Sequence, residues 1–428
     1  MDRLTGLLGI ALILGIALLA SNNRGAINKR LVLSGIGLQL LIAVLVLKVG
    51  PVTTFFQWLG KGMGLLEGFA REGASFVWGG IGVAQPPRAD GSGGGRIEDY
   101  NGSNGFVFAF NVTSTIILVC VLVAVLYHFG IMQRVVQLIA RAMNAVMRVS
   151  GAEALSNVAS AFVGQVEAQV MIRPYLKGMT SSELLASMSG SLACIAGGIL
   201  IVYANMGAAA GMDLAPKLLA ASLMAAPGAL VISKIVRPET EVSQTMGRVK
   251  LEVKSNYVNV VDAIGHGAGD GFRIAMNVLA MLVGFIALIA LIDWVLAWAG
   301  HLFDPGFDLS LKWLFGRLFT PMAWAMGVPS EDIGNAATLL GQKLTINEFF
   351  AFKNLTGKSV PIVTDKGLTI VSFAICGFAN FSSVGMQIGG IGELAPERRA
   401  DLARLGLRAL LCGTLASYLS ATIAGMLV

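Results

Sequence analysis

Charged residues are scarce in this chain. They make up 13% of its 428 residues, whereas a soluble globular domain carries about 25%. This shortage excludes a soluble fold and predicts an integral membrane protein. The formal net charge of +6 is too dilute for a nucleic-acid-binding surface, so no nucleic acid partner is predicted. The basic residues cluster beside apolar runs, as they do in the cytoplasmic loops of membrane proteins.

Cysteine is also rare, and its placement excludes two classes of site. The four cysteines are Cys120, Cys194, Cys376 and Cys412. They stand in apolar surroundings without CxxC spacing, which argues against a disulfide scaffold and against a thiolate metal cluster. Small core residues are the better interpretation for Cys120, Cys376 and Cys412, and Cys194 is considered below. The sequence therefore predicts no cofactor.

Long apolar runs occupy most of the chain. Hydrophobic residues form 55% of it, and a run of about 20 apolar residues is long enough to cross a bilayer. Eight transmembrane helices are predicted, at 5–20, 31–49, 106–129, 187–206, 216–236, 272–299, 368–388 and 402–427. Two amphipathic stretches, 52–77 and 305–325, are predicted to lie in the membrane interface. The predicted fold class is an all-α polytopic membrane protein.

Two shorter apolar segments carry polar residues at their centres. Segment 152–176 contains Gly164-Gln165-Val166-Glu167, and segment 333–354 contains Asn347-Glu348. Polar groups at this depth cost a few kcal/mol each on insertion scales, unless they face a wet cavity or a ligand. Each segment is therefore predicted to be a re-entrant hairpin whose tip carries these residues.

The two hairpins suggest a division of the chain into four parts. Residues 151–236 contain a hairpin and two further helices, and residues 329–428 repeat that order. Residues 1–150 supply N-terminal spans, an interfacial helix and a scaffold helix. Residues 237–328 supply a cytoplasmic loop, a long scaffold helix and a second interfacial helix. Paired broken segments in two halves are typical of secondary transporters built from inverted repeats, with a binding site near the midplane.

The polar groups predicted inside the membrane are carboxylates, amides and hydroxyls. They are Gln165, Glu167, Asn347, Glu348, Asn380, Ser382 and Ser383. Carboxylates accept paired hydrogen bonds and amides both donate and accept, so this set suits a neutral polyhydroxylated ligand. Nearby phenylalanines could pack on a flat ring; they are Phe349, Phe378 and Phe381. The alternative is that the Asn and Ser side chains only join helices to one another.

At these residues the sequence resembles the concentrative nucleoside transporter family. The motifs that carry the resemblance include Gly164-Gln165-Val166-Glu167, Arg173-Pro174-Tyr175, Asn347-Glu348-Phe349 and Cys376-Gly377-Phe378-Ala379-Asn380-Phe381-Ser382-Ser383. The resemblance extends over essentially the whole chain. It implies a homotrimer in the bacterial inner (plasma) membrane that imports uridine-like nucleosides by cation symport. It also implies that the hairpins move as an elevator against a trimeric scaffold.

The resemblance further implies the roles of individual residues. Those implied to face the nucleobase are Gln165, Val166, Glu167 and Ile199. Those implied to hold the ribose or contact the substrate are Glu348, Phe378, Asn380 and Ser383. The positions of the family's sodium site are Ser160, Val163, Cys194 and Ile195.

Three positions depart from the family pattern. Val166 stands where members usually have threonine, so one hydroxyl facing the base is absent. Ser160 stands at a family asparagine, and Cys194 stands at a family serine or threonine. Sodium is a hard cation that prefers oxygen ligands, and a thiol is a poor substitute. We therefore slightly favour the proton as coupling ion, carried by Glu167 or Glu348, with sodium as the alternative because backbone donors need no particular side chain.

Two other functions compete with a carrier. Gly267-Ala268-Gly269-Asp270 matches the GxGD motif of intramembrane aspartyl proteases. Such an enzyme needs a second aspartate that shares a proton, and no Tyr-Asp pair occurs in an earlier run. Asp270 is instead expected at a helix start. A channel is the other alternative, but two polar-tipped hairpins that meet midway would close a pore. The sequence predicts a transporter and not an enzyme.

Overall fold

The protein is built from α-helices. A computed structural model describes residues 2–78, 108–162, 164–245, 257–302 and 309–428, and within these ranges every regular element is helical. The all-α class predicted from the sequence is confirmed.

Contacts within the chain divide it into two compact units. One unit comprises Met1–Gln57, Arg134–Val253 and Leu288–Val428, and the other comprises Trp58–Gln133 and Lys254–Ala287. Both hairpins, with the helices that follow them, belong to the first unit. The division of the chain into parts that end at residues 150, 236 and 328 stays a prediction.

The N-terminal helices follow the apolar pattern closely. They are α1 (Asp2–Leu19), α2 (Lys29–Lys48), α3 (Gly50–Trp78), α4 (Phe108–His128) and α5 (Ile131–Met147). Asn28 is the N-cap residue of α2, and its side chain accepts a hydrogen bond from the Leu31 backbone N–H at 3.2 Å. This contact satisfies one of the backbone donors that a helix start leaves without an intrahelical partner. Helix α3 covers the stretch that was predicted to be interfacial.

The first repeat begins with the hairpin formed by 151–176, here called hairpin 1. The helices of this repeat are α6 (Gly151–Ser160), α7 (Glu167–Val170), α8 (Arg173–Leu176), α9 (Ser181–Ala193), α10 (Gly197–Ala209) and α11 (Ala215–Val236). The predicted polar tip lies between α6 and α7, as expected. Two details differ from the prediction. The return arm is two short helices, with Pro174 in the first turn of α8, and the predicted span 187–206 is broken between α9 and α10.

The middle of the chain differs most from its prediction. Its helices are α12 (Val260–His301), α13 (Leu311–Leu318) and α14 (Thr320–Ala325). The start of α12 at Val260 rather than at residue 272 places Asp270 inside the helix, so its predicted role at a helix start is wrong. Two glycines near Asp270 are packing positions. A Cβ added to Gly267 would lie 2.8 Å from the Cα of Val121 in α4, and one added to Gly271 would lie 2.7 Å from the Cα of Ile117. Small residues four apart allow helices to approach this closely.

The second repeat begins with the hairpin formed by 333–356, here called hairpin 2. The helices are α15 (Ile333–Thr345), α16 (Glu348–Thr356), α17 (Asp365–Ile375), α18 (Phe381–Leu394) and α19 (Arg399–Leu427). The order of hairpin, broken helix and unbroken helix repeats that of the first half. The two unbroken helices, α11 and α19, pack against each other. The predicted span 368–388 is broken between α17 and α18, which corresponds to the break between α9 and α10.

Several helices have the length and composition of membrane spans. Three described helices are both long and apolar enough, at Lys29–Lys48, Ala215–Val236 and Pro396–Leu427. Four described apolar segments are shorter, at Thr5–Leu19, Thr113–His128, Ile199–Ala209 and Ile286–Leu302. The polytopic character of the chain follows from this set, although broken helices replace some of the continuous spans that were predicted.

Buried charges fix the start of hairpin 1. Glu153 completes a capping box with Ser150 at the start of α6. The Lys234 ammonium lies 2.7 Å from the Glu153 carboxylate and 3.3 Å from that of Glu239. These contacts join α6 to the end of α11 and to the segment that follows it. An arm held at its base in this way can present its tip at a fixed position.

The two helix breaks contact each other through their backbones. The Phe378 N–H, after α17, donates to the Cys194 carbonyl, after α9, at 3.2 Å. Gly377 adopts a φ of +137°, and its Cα lies so close to the Ala193 carbonyl that a Cβ would overlap it. Only glycine fits both conditions. The crossing supplies partners for backbone groups that the broken helices expose.

We expect Gly377→Ala to destabilise the protein by about 1–3 kcal/mol or more, because it combines a strained φ with a backbone clash. The matched control is Gly389→Ala within α18, where an added Cβ would meet no atom within 4 Å. That control should be neutral or stabilise the helix by up to about 1 kcal/mol. Thermal unfolding of the purified variants in detergent measures the difference. Equal melting temperatures for the two variants would contradict the close approach of the two helix breaks at Gly377.

Candidate functional site

The tip of hairpin 2 holds a buried carboxylate between two donors. Asn347 caps α16 by accepting a hydrogen bond from the Phe350 N–H at 2.8 Å, and Glu348 is the first residue of that helix. The Tyr203 hydroxyl donates to Glu348 Oε1 at 3.1 Å. The Asn380 amide Nδ2 donates to Oε2 at 3.0 Å. Both carboxylate oxygens accept a hydrogen bond, and the helix N-terminus favours negative charge at this position.

Asn380 is also the N-cap residue of α18. Its Oδ1 accepts hydrogen bonds from the Ser383 N–H at 2.8 Å and from the Ser382 hydroxyl at 2.9 Å. The Ser383 hydroxyl is buried and has no hydrogen-bond partner within the protein. A buried hydroxyl without a partner is costly, so this group is available for a ligand.

The tip of hairpin 1 contacts α18, further along that helix than Ser383. Gln165 is buried, and its Oε1 accepts a hydrogen bond from Gln387 Nε2 of α18 at 3.4 Å. Its Nε2 lies 3.9 Å from the sulfur of Met386. Gln387 is itself fully buried and also donates to the Met188 carbonyl at 3.2 Å. Gln165 is therefore oriented by a second amide that comes from the other repeat.

Val166 and Glu167 adopt different positions beside Gln165. The Val166 side chain lies against Gly390 of α18, where a Cβ would be 2.7 Å from both of its methyl carbons. The Glu167 carboxylate folds back over Gly164, and the residue as a whole is exposed. Of the two hairpin-tip glutamates, Glu348 is enclosed and Glu167 is open to its surroundings.

The remaining residues implied by the resemblance lie on the broken helices. Ile199 is half-buried in the first turn of α10, and Phe378 is half-buried in the break before α18. Phe349, which was considered as a platform for a ring, is buried with its ring 5.9 Å from that of Tyr203. Phe352 stacks on Tyr203 at 4.4 Å. These aromatic contacts hold the Tyr203 hydroxyl toward Glu348.

One face of α18 joins the two hairpin tips. Asn380, Ser383 and Gln387 are spaced i, i+3, i+7, and residues at that spacing share a face of a helix. Hairpin 2 contacts the start of this face and hairpin 1 contacts it two turns later. Seven residues at about 1.5 Å each place the two contacts roughly 10 Å apart along the axis. That spacing suits a ligand made of two joined rings.

Ser160, implied to be part of a sodium site, is engaged elsewhere. Its hydroxyl donates to the Ser156 carbonyl at 2.8 Å and lies 2.8 Å from the Ser191 hydroxyl. Gln169 donates to the hydroxyls of Ser156 and Ser191 at 3.0 Å and 2.7 Å, and the Ser187 hydroxyl donates to its Oε1 at 2.6 Å. This network joins hairpin 1 to α9. The Ser160 oxygen is part of a helix contact.

Around the other residues implied for sodium, the described part of the chain places a thiol beside backbone carbonyls. Val163 lies outside the described residues. The Cys194 sulfur is fully buried, 3.8 Å from the Ser222 carbonyl. The Ser222 hydroxyl lies 3.5 Å from the Ala161 carbonyl and 3.4 Å from the Ile195 carbonyl, so a hydroxyl stands where these carbonyls converge. Because hard cations prefer oxygen and disfavour thiol ligands, the side chains here do not fit a sodium ion.

Three residues of the site escaped the sequence analysis. Tyr203 and Gln387 are polar groups near the C-terminal ends of predicted spans, and Lys343 is an ionisable residue within the predicted hairpin 2. An intramembrane polar or ionisable residue is by default a functional candidate, and that signal could have identified all three. What the sequence could not show is their partners, which lie up to 222 residues away.

The comparisons with known proteins identify the family of the chain. Three family profiles match: the N-terminus of Na+ dependent nucleoside transporters at residues 8–81, a nucleoside recognition gate at 109–210, and the C-terminus of Na+ dependent nucleoside transporters at 217–425. The nucleoside permease NupC of Helicobacter pylori is 37% identical over 431 residues, which cover 100% of this chain and 98% of that protein. The chain belongs to the concentrative nucleoside transporter family.

One further sequence relative and one solved structure are also similar to this chain over its whole length. The uncharacterized transporter YutK of Bacillus subtilis is 40% identical over 430 residues, with 100% of both chains covered. A solved structure of CNTnw in an inward-facing, substrate-bound state superposes with a TM-score of 0.89 at 39% identity, covering 100% of this chain and 98% of that one. Membership in this family makes the chain a membrane transporter and not an enzyme. The protease interpretation of the GxGD motif is therefore wrong.

We expect Tyr203→Phe to destabilise the protein by about 1–3 kcal/mol, because one oxygen of a buried carboxylate loses its donor. Tyr418→Phe is a matched control, since the Tyr418 hydroxyl is buried without a hydrogen-bond partner. Its removal should be neutral or stabilising. Chemical denaturation of both variants in detergent measures the contrast, and an equal loss in the two would contradict the role of Tyr203 as a donor to Glu348.

Proposed function

We propose that this protein imports nucleosides across the bacterial inner (plasma) membrane as a secondary active transporter that couples uptake to a cation. The observation that carries the proposal is the buried Glu348 carboxylate, held between Tyr203 and Asn380 beside the unpartnered Ser383 hydroxyl. A carboxylate and a hydroxyl in this arrangement match the donors and acceptors of two neighbouring sugar hydroxyls. The substrate class is that of nucleosides, in agreement with the name of the Helicobacter pylori relative, and within that class we propose uridine-like nucleosides.

The ribose and the base are assigned to the two hairpins. Glu348, Asn380 and Ser383 hold the ribose hydroxyls at the start of α18. The residues assigned to the nucleobase are Gln165, Val166, Glu167 and Ile199, and Phe378 contacts the substrate between the two groups. The separation of roughly 10 Å along α18 supports this assignment, because one nucleoside can reach both tips. With a valine beside it, Gln165 carries most of the hydrogen bonding to the base.

We further propose that the protein is a homotrimer and that each protomer transports its substrate by an elevator motion. All the substrate residues lie in one compact unit of the chain, the unit that contains both repeats. The hairpins and broken helices are joined by side-chain bonds between repeats, such as that of Gln387 to Gln165. Arg398, before α19, adds another by donating to the Met179 carbonyl at 2.7 Å. Elements joined in this way move together, which an elevator requires.

The proton is the coupling ion that the side chains favour. The family profile carries the description Na+ dependent, yet the Ser160 oxygen is committed to α9 and Cys194 presents sulfur. Glu167 and Glu348 are the carboxylates that can bring a proton to the site. Glu167 is the more accessible of the two, because it is exposed whereas Glu348 is buried.

We expect Glu348→Ala to weaken nucleoside binding roughly 5–150-fold, which corresponds to about 1–3 kcal/mol. The sugar hydroxyls would lose their acceptor in an enclosed site. Glu167→Ala should weaken binding as well. The control is Glu393→Ala, which removes an exposed carboxylate from α18 and should leave the affinity unchanged. Isothermal titration calorimetry with uridine measures all three variants, and wild-type affinity in both hairpin variants would refute the assignment of the site.

We expect a proton gradient to drive uridine accumulation in proteoliposomes without sodium. A sodium gradient at equal pH should drive little uptake, because the oxygen shell around the Cys194 position is incomplete. The double substitution S160N/C194S restores the side chains that the resemblance implies for sodium, and it should add sodium-dependent uptake. Accumulation driven by sodium alone in the wild-type protein, with no response to a proton gradient, would show that sodium is the coupling ion.

A further inference from the structure

Hairpin 2 contains a buried ammonium group without a hydrogen-bond partner. Lys343 of α15 is 0% exposed, and among the described residues its Nζ has no hydrogen-bond acceptor. Lys234, the other buried lysine in that part of the chain, lies 2.7 Å from the Glu153 carboxylate. An isolated charge in hydrocarbon is costly and is tolerated mainly where it meets an opposite charge or serves a function. The position of Lys343 therefore requires an explanation that Lys234 does not.

The groups around Lys343 identify the charge that it meets. Helix α15 packs on α13, α14, α16 and α17. Of the titratable groups on these elements and their ends, the Glu348 carboxylate acts on it as a charge, and the Cys376 thiol nearby is neutral. Helix α19 presents the ring of Tyr418, whose centroid lies 6.0 Å from Nζ. Arg317 of α13 lies over the ring of Trp313 on its own helix, and α14 carries no charged residue.

Glu348 needs a positive charge that its hydrogen-bond donors do not supply. Tyr203 and Asn380 satisfy its oxygens, but both are neutral groups and leave one net negative charge inside the protein. Charges attract over longer distances in a medium of low dielectric constant than in water. The ammonium of Lys343, five residues earlier on the other arm of the same hairpin, can balance this charge without touching it.

We propose that Lys343 is a positioning residue that acts through Glu348, as the counter-charge that keeps this carboxylate ionised. The inference rests on the proposed role of Glu348 in holding the ribose. An ionised carboxylate accepts from two hydroxyls at once, whereas a protonated one accepts less well and turns one oxygen into a donor. Lys343 thereby extends nucleoside binding to lower pH, and it leaves Glu167 as the carboxylate that carries the proton.

The effect of removing Lys343 has a definite sign. Without the positive charge, Glu348 takes up a proton more readily. The pH at which nucleoside affinity falls to half its maximum should therefore move up, by roughly one unit or more. At a pH well above that midpoint, binding should return toward the wild-type value, because the carboxylate is ionised again. A purely structural role for Lys343 would lower affinity equally at every pH.

The test is the pH profile of uridine affinity, measured by calorimetry on the detergent-purified full chain. The variant is Lys343→Met, and the matched control is Lys353→Met, an exposed lysine on the other arm of hairpin 2. We expect an upward shift of the midpoint for Lys343→Met and the wild-type profile for the control. A wild-type midpoint in Lys343→Met overturns the inference. The proposed function fails separately, if Glu348→Ala leaves uridine affinity unchanged.

Charge coupling can also be measured without a ligand. Single substitutions K343M and E348Q each leave one buried charge without its counterpart, while the double substitution K343M/E348Q leaves none. We expect the double variant to melt at a higher temperature than the sum of the two single shifts predicts. If K343M alone is too unstable for calorimetry, E348Q should restore its folding. Melting shifts that simply add would overturn the inference.

Discussion

The structure depends on one constraint, the need to satisfy every backbone polar group within the hydrocarbon region from inside the protein. Helices that break there expose N–H and C=O groups, and each break needs compensating contacts. Here the Phe378 N–H bonds to the Cys194 carbonyl across the two breaks. The side-chain oxygens of Asn347 and Asn380 accept hydrogen bonds from the first backbone N–H groups of the helices that follow the hairpin turn and the second break. Close approach at Gly377 makes the crossing possible.

The same compensation creates the site. Asn380 satisfies the start of α18 with its oxygen and binds Glu348 with its nitrogen, so one amide serves both stability and binding geometry. The face of α18 that begins at Asn380 then meets hairpin 1 at Gln387. A rigid helix between the two tips fixes their separation. The distance over which a ligand must extend is consequently set by helix geometry rather than by flexible loops.

Charge balance explains why a neutral ligand fits. Glu348 and Lys343 compensate each other inside hairpin 2, and Lys234 is compensated by Glu153 and Glu239 at the base of hairpin 1. Neither group requires a charge from the substrate. The site also contains buried polar atoms that have no hydrogen-bond partner among the described residues, including the Ser383 hydroxyl and Gln387 Oε1. A ligand can form hydrogen bonds with these atoms. A nucleoside provides these without adding charge.

Composition and local pattern by themselves determined the membrane class, the positions of most helices, both hairpins and their polar tips, because apolar runs and intramembrane polar residues are local properties. The resemblance supplied the family. Tertiary structure decided what depends on distant partners. Tyr203 meets Glu348 across 145 residues, and Ser160 bonds to Ser191. No local pattern distinguishes the enclosed Glu348 from the exposed Glu167, or shows that Lys343 is fully buried, since burial arises only when separate helices pack together.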